Sequence, residues 1–115
     1  MAIPRLNLDD TVLLVVDLQE RLLPVIHDHE RVLEQCGKLI DGAKALGLPV
    51  LATEQYPTGL GPTVGPIRER LEDDVPIVEK LKFSAFVEDI REQLAELGRR
   101  TVLLCGIEAH VCVLQ

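Results

Sequence analysis

The 115-residue sequence contains no tryptophan, a single tyrosine and two phenylalanines. A core cannot then be built around aromatic anchors, and Leu, Val, Ile and Ala must fill it. No apolar stretch approaches the roughly 20 residues of a membrane-spanning helix. The opening MAIPRLNLDD shows neither the apolar run nor the cleavage pattern of a secretory signal. Clustered Lys and Arg are also lacking. With a formal net charge of −7, this excludes an electrostatic nucleic-acid surface and a polybasic membrane contact. The three cysteines, Cys36, Cys105 and Cys112, have no framework spacing. An odd number in a chain with no export signal reads as free thiols in a reducing, cytoplasmic setting.

What is present is an alternation. TVLLVVDLQ (11–19) is a continuous valine-rich run of the kind expected for a strand covered on both faces. A helix is predicted over 28–47, with Val32, Cys36, Leu39, Ala43 and Leu46 at helical spacing and Gly47 past its end. LPVLATEQ (48–55) reads as a second strand and YPTGLGPTVGP as loop, with a short helix over about 66–72. A third strand is predicted over 75–83. A helix over 87–98 presents Val87, Ile90, Leu94 and Leu97, and TVLLC (101–105) is the fourth strand. Strands alternating with helices imply right-handed crossovers and a parallel sheet. The expectation is one α/β domain over 1–115, a three-layer, open, Rossmann-like parallel sheet. HVCVLQ opens a helix with neither length nor cap, so the domain is expected to be C-terminally incomplete over this length.

In open α/β sheets, ligands bind beyond the carboxyl ends of the strands. Asp17 closes strand one, Lys80 follows strand three, and Cys112 begins the helix after strand four. A cysteine at a helix N-terminus gains thiolate character from the macrodipole and free N–H groups, and a nearby lysine would add to it. A carboxylate within reach can take the thiol proton and return it to a leaving amine. Backbone N–H groups of GIEAHVC can form an oxyanion hole.

The segments VVDLQ, EKLKFSAF and LLCGIEAHVCV, in this order and spacing, resemble the three signatures of the isochorismatase-like cysteine hydrolases, which include nicotinamidases. TEQYPTGLGPTV together with LLCGIEAHVC is most similar to the isochorismatase domain-containing branch of that family. The resemblance covers essentially the whole chain. It implies a triad of Cys112, Asp17 and Lys80. The lysine that precedes the aromatic–Ser pair by three positions is Lys80, which sets it ahead of Lys82. The resemblance further implies a cis peptide between Ile107 and Glu108 that aims the backbone N–H groups of Glu108 and Cys112 at one oxyanion. The reaction it implies is hydrolysis of a small amide-like substrate through a thioester, with vinyl-ether hydrolysis the alternative within the family. Such proteins are typically homo-oligomers and longer than this chain, with two further strands.

Two departures from the family pattern bear on chemistry. Nicotinamidases carry an Asp-x-His metal motif after strand two, where this chain has TEQYP. No metal or other cofactor is therefore expected, and nicotinamide is disfavoured as the substrate. Ala109 stands where the family often has Thr, which removes one side-chain hydrogen bond from the turn.

Plainer readings stand beside these. Cys36 and Cys105 read as core. His27 and His29, two apart, fall on different helix faces and read as surface residues. Taken singly, Asp17 would serve as a helix cap, Lys80 as a solvated strand end, and Cys112 as a small buried hydrophobe. Gln19, Gln55, Tyr56 and His110 are candidates to line the substrate pocket. The competing function is a catalytically silent binding domain of the same fold. A redox thiol protein is a weaker third, because no Cys-x-x-C is present.

Overall fold

An apolar run with no polar alternation requires cover on both faces, and Thr11–Val16 (β1) has it: all six residues are buried. The computed structural model describes residues 5–82 and 84–107. Within it β1 is an interior strand of a four-stranded sheet ordered β3-β2-β1-β4. The other strands are Val50–Gln55 (β2), Ile77–Lys80 (β3) and Thr101–Gly106 (β4). All three pairings are parallel, with Leu13 opposite Val50, Thr11 opposite Thr101 and Gln55 opposite Lys80. The α/β architecture with its open parallel sheet is as expected.

The helices are His29–Ala45 (α1), Pro57–Leu60 (α2), Gly65–Leu71 (α3) and Glu88–Leu97 (α4). They divide into two layers. Leu13, Val15, Val50, Ala52 and Cys105 pack against Cys36, Ile40 and Ala43 of α1 and Ile67 and Leu71 of α3. Val12, Leu14, Val16, Leu51 and Val78 meet Ala85 and Ile90, with Val87 and Leu94 of the α4 side packed on them. Gly47 and Gly98 follow α1 and α4 with φ of +74° and +63°, the left-handed turn that lets a chain leave a helix without a Cβ clash.

Four expectations are corrected. Strand one ends at Val16, and Asp17 lies just past it rather than closing it, because Asp17 turns to a φ of +53°. Strand three spans four residues rather than the predicted 75–83. The segment after β2 is not all loop, since Pro57 at its first helical position starts the single turn α2. On α1 the buried stripe runs through Cys36, Gly37, Ile40 and Ala43, while Leu39 and Leu46 are exposed. A helix two layers deep buries one side only. Ile40 lies four residues after Cys36 and three before Ala43, so the stripe passes through it and leaves Leu39 beside the stripe.

Candidate functional site

Because the strands are parallel, their carboxyl ends share one edge of the sheet, and Asp17, Gln55 and Lys80 stand there. Continued extension of β1 would point the Asp17 side chain the same way as Leu13 and Val15, into the α1–α3 layer. The left-handed φ of Asp17 breaks that alternation. Its carboxylate instead meets Thr53 and Lys80, which by alternation follow Leu51 and Val78 on the α4 side. Thr53 Oγ1 donates to Asp17 Oδ1 at 2.8 Å, and Lys80 Nζ donates to Asp17 Oδ2 at 2.8 Å. Asp17 N–H is bound to the carbonyl of Thr53 at 3.2 Å, which fixes the turn itself.

The side chains of this ion pair are 1% and 0% exposed. Lys80 Nζ also donates to the carbonyl of Lys82 at 3.0 Å, so the chain after β3 curls over the ammonium. Lys82 itself is exposed. A buried ion pair gives little net stability, because desolvating two charges offsets most of their attraction. Pairs of this kind in a cleft or at a sheet edge are candidates for chemistry. A hydrogen-bonded carboxylate beside an ammonium can accept a proton from a nearby acid, and the ammonium can hold an anion.

The remaining predicted positions separate into two groups. Gln19 and Gln55 are buried. Gln19 Nε2 donates to the carbonyls of Gln55 and Gly61, and Gln19 Oε1 accepts from Gln55 N–H. Tyr56 is half exposed with a φ of +40°, and its N–H is bound to the Lys80 carbonyl at 2.8 Å. Its ring lies where a side chain on Gly59 would stand, so Gly59 is required for that packing. Cys112, Glu108 and His110, and with Glu108 the Ile107–Glu108 peptide bond, lie outside the described residues.

Two residues escaped sequence reasoning. Thr53 carries no motif, and its only signal is its register opposite Val16, one position before Asp17. Thr63 bonds Glu54 Oε2 through both its N–H and its hydroxyl, a contact that pins the loop after β2. Among the described residues no group of three His, Cys, Asp or Glu side chains comes together as a metal site. No helix among them is long and apolar enough to cross a membrane.

Cys36 and Cys105 are free and buried in the α1–β4 core. The neighbouring thiol holds the Cys36 pKa down and, together with burial, pushes that of Cys105 up. Neither is placed to act as an accessible nucleophile.

A family model, the Isochorismatase domain, matches residues 11–115. The secreted isochorismatase effector Isc1 of Phytophthora sojae is 41% identical over 96% of this chain and 55% of its own length. Isochorismatase domain-containing protein 2 of Danio rerio is 37% identical over 96% of this chain and 55% of its own. Among solved structures, the MAR1 ribonuclease from Caenorhabditis elegans superposes with a TM-score of 0.90 at 41% identity, over 97% of this chain and 57% of that one. An octameric hydrolase of unknown specificity from Escherichia coli gives 0.83 at 25% identity, over 97% and 57%. The chain thus spans about half the length of the curated relatives it matches.

Proposed function

The chain belongs to the isochorismatase family, and on that premise we propose that it is a metal-independent cysteine hydrolase of a small amide-like substrate. The observation that carries the reading is the buried Asp17–Lys80 pair, with Thr53 on the second carboxylate oxygen. Cys112 is the nucleophile. Asp17 takes the thiol proton, the thiolate sulfur bonds to the substrate carbonyl carbon, and the carbon–nitrogen bond breaks as Asp17 passes that proton to the leaving amine. Water then adds to the thioester, giving the acid and restoring the thiol. Lys80 holds the Asp17 carboxylate in place and adds positive charge near the thiolate. The oxyanion is bound by the backbone N–H groups of Glu108 and Cys112.

Residues 1–115 belong in this reading to a single isochorismatase-like domain, of which they are the N-terminal part, in a homo-oligomer like that of the octameric relative. The free, buried Cys36 and Cys105 support a cytoplasmic setting. The ribonuclease activity named for one structural neighbour is not carried over. A chain with 19 acidic and 12 basic residues offers little to neutralise a phosphate backbone.

The test is the pH dependence of Cys112 alkylation by iodoacetamide, located by mass spectrometry, in the parent chain and in Asp17→Asn and Lys80→Ala. An apparent thiol pKa well below about 8.5, moved by both substitutions, supports the hydrolase and directs a screen of amides for turnover. A slow Cys112 indifferent to both substitutions replaces it with a catalytically silent binding domain.

A further inference from the structure

Among the described residues Gln19 is the largest fully buried polar one, two positions after Asp17, and every polar atom of its side chain is bound to backbone. Its Nε2 donates to the Gln55 carbonyl at 2.9 Å and the Gly61 carbonyl at 2.8 Å, and its Oε1 accepts from Gln55 N–H at 2.8 Å. Two acceptors on one side and a donor on the other leave a single orientation for the amide. An amide so committed is not available to a substrate. It does join three segments: the turn after β1, the last residue of β2, and the far end of loop 56–64.

Backbone bonds follow the same seam. Gln19 bridges Thr63 in antiparallel fashion. Glu20 N–H is bound to the Pro62 carbonyl, Arg21 N–H to Leu60, and Val64 N–H to Leu18. Arg21 Nη1 adds a bond to the Gly59 carbonyl at 2.8 Å. At the near end of the same loop, Tyr56 N–H is held by the carbonyl of Lys80. The loop is therefore stitched at one end to the segment that carries Asp17 and at the other to the residue that carries the ammonium.

We infer that Gln19 is a positioning residue, whose buried amide fixes loop 56–64 against the Asp17–Lys80 pair and so sets the geometry of both. The inference rests on the catalytic reading of that pair. Without the amide, the Gln55 and Gly61 carbonyls and the Gln55 N–H lose a shared partner, and the loop can lift while the sheet beneath it stays paired.

The chain has one tyrosine and no tryptophan, so intrinsic fluorescence reports on Tyr56 and on this loop alone. The experiment compares the parent chain with Gln19→Met, which keeps the length without the hydrogen bonds. Arg21→Ala is the second variant; it removes only the exposed bond to Gly59 and so spares the fold. Acrylamide quenching of Tyr56 and the pH profile of Cys112 alkylation by iodoacetamide are read at a temperature where circular dichroism shows each variant folded.

In Gln19→Met the quenching is expected to rise. Cys112 alkylation at neutral pH should fall about tenfold or more, since a displacement of about an ångström near reacting groups can cost up to about a hundredfold. Its pH profile should move toward that of a free thiol. Arg21→Ala should shift both readouts in the same direction by less. A lowered Tm with unchanged quenching and an unchanged pH profile overturns the inference and leaves Gln19 a structural residue only. If Cys112 proves unactivated in the parent chain, the hydrolase reading fails by itself. Quenching then decides: a rise supports Gln19 as the anchor of the loop, and no change overturns it.

Discussion

Asp17 and Thr53 belong to opposite alternations of neighbouring strands, yet the threonine hydroxyl bonds the carboxylate at 2.8 Å. The contact exists because Asp17 leaves β1 with a φ of +53°. Thr53→Val keeps the shape and removes the donor, leaving a buried carboxylate oxygen short of a partner. The expected loss is about 1–3 kcal/mol in urea unfolding, with Thr53→Ser close to the parent. Thr53→Val should also slow Cys112 alkylation, whereas Thr53→Ser should not.

The two lysines of KLK are predicted to behave as unlike residues. Lys80 is buried against Asp17, and Lys82 is exposed. Removing one member of a buried pair strands the other charge, so Lys80→Met should cost about 3–5 kcal/mol. Lys82→Met should stay within about 0.5 kcal/mol. The double variant Asp17→Asn/Lys80→Met should lose less than the sum of its single variants, as contacting residues do. Asn is the substitution of choice at Asp17 because it tolerates a left-handed φ. Additive losses would contradict the pairing.

Far from the site, Lys44 Nζ donates to the Leu71 carbonyl and lies 3.1 Å from both Glu72 and Asp74. Desolvation lowers its pKa, but the hydrogen bonds and charges of Glu72 and Asp74 outweigh it and the net shift is upward. A raised lysine pKa stabilises the fold below its unfolded value, and that contribution is lost as pH climbs through the folded value. The Tm difference between the parent chain and Lys44→Met should therefore be full at pH 8 and shrink above the ordinary lysine range, near pH 11. It should also narrow in high salt. A gap that grows with alkalinity would refute the linkage.

Gly37 sits under the Arg70 guanidinium, and a Cβ there would fall 2.6 Å from Arg70 Cζ. The obstacle is the end of a flexible side chain that also bonds Asp41 at 3.1 Å. Gly37→Ala gains about 1 kcal/mol of helix propensity and displaces Arg70, so thermal denaturation should show little net change. In an Arg70→Ala background the same substitution should be stabilising by most of that amount. A large loss in both backgrounds would mean the helix, not the arginine, needs the glycine.

The strands announced themselves because an interior parallel strand cannot alternate. Thr11–Val16, buried throughout, read as such from composition alone; Val50–Gln55 read only as a strand, and the burial of Thr53, Glu54 and Gln55 had no mark in its composition. Asp17 and Lys80 were visible as chemistry-bearing residues at strand carboxyl ends, and resemblance to a family separated Lys80 from Lys82. Backbone geometry was not visible. Nothing in VVDLQ says that Asp17 turns left-handed, and that turn decides which layer its carboxylate enters. The anchoring role of Gln19, along with Thr53 and Thr63, was silent for a related reason. Their hydrogen bonds join positions 36, 36 and 9 residues apart, and side-chain bonds of that kind leave no periodic mark. On α1, the sequence reading placed Leu39 in the buried stripe and left out Ile40, because helical spacing defines a stripe only to within about one residue.

The parallel topology has a consequence for the order of events in folding. Each strand pairing must close a long segment of chain before any contact rewards it, which makes such sheets slow to form. Asp17 and Lys80 are 63 residues apart; Asp17 directly follows β1 and Lys80 ends β3, and β2 separates the two strands. Their contact therefore requires two successive registrations, β1 with β2 and then β2 with β3. No local fragment of the chain can assemble it, and a partly folded chain with one strand out of place holds an isolated carboxylate and an isolated amine. Reactivity at this edge should consequently appear in refolding only after the last of those registrations, lagging the recovery of helical signal.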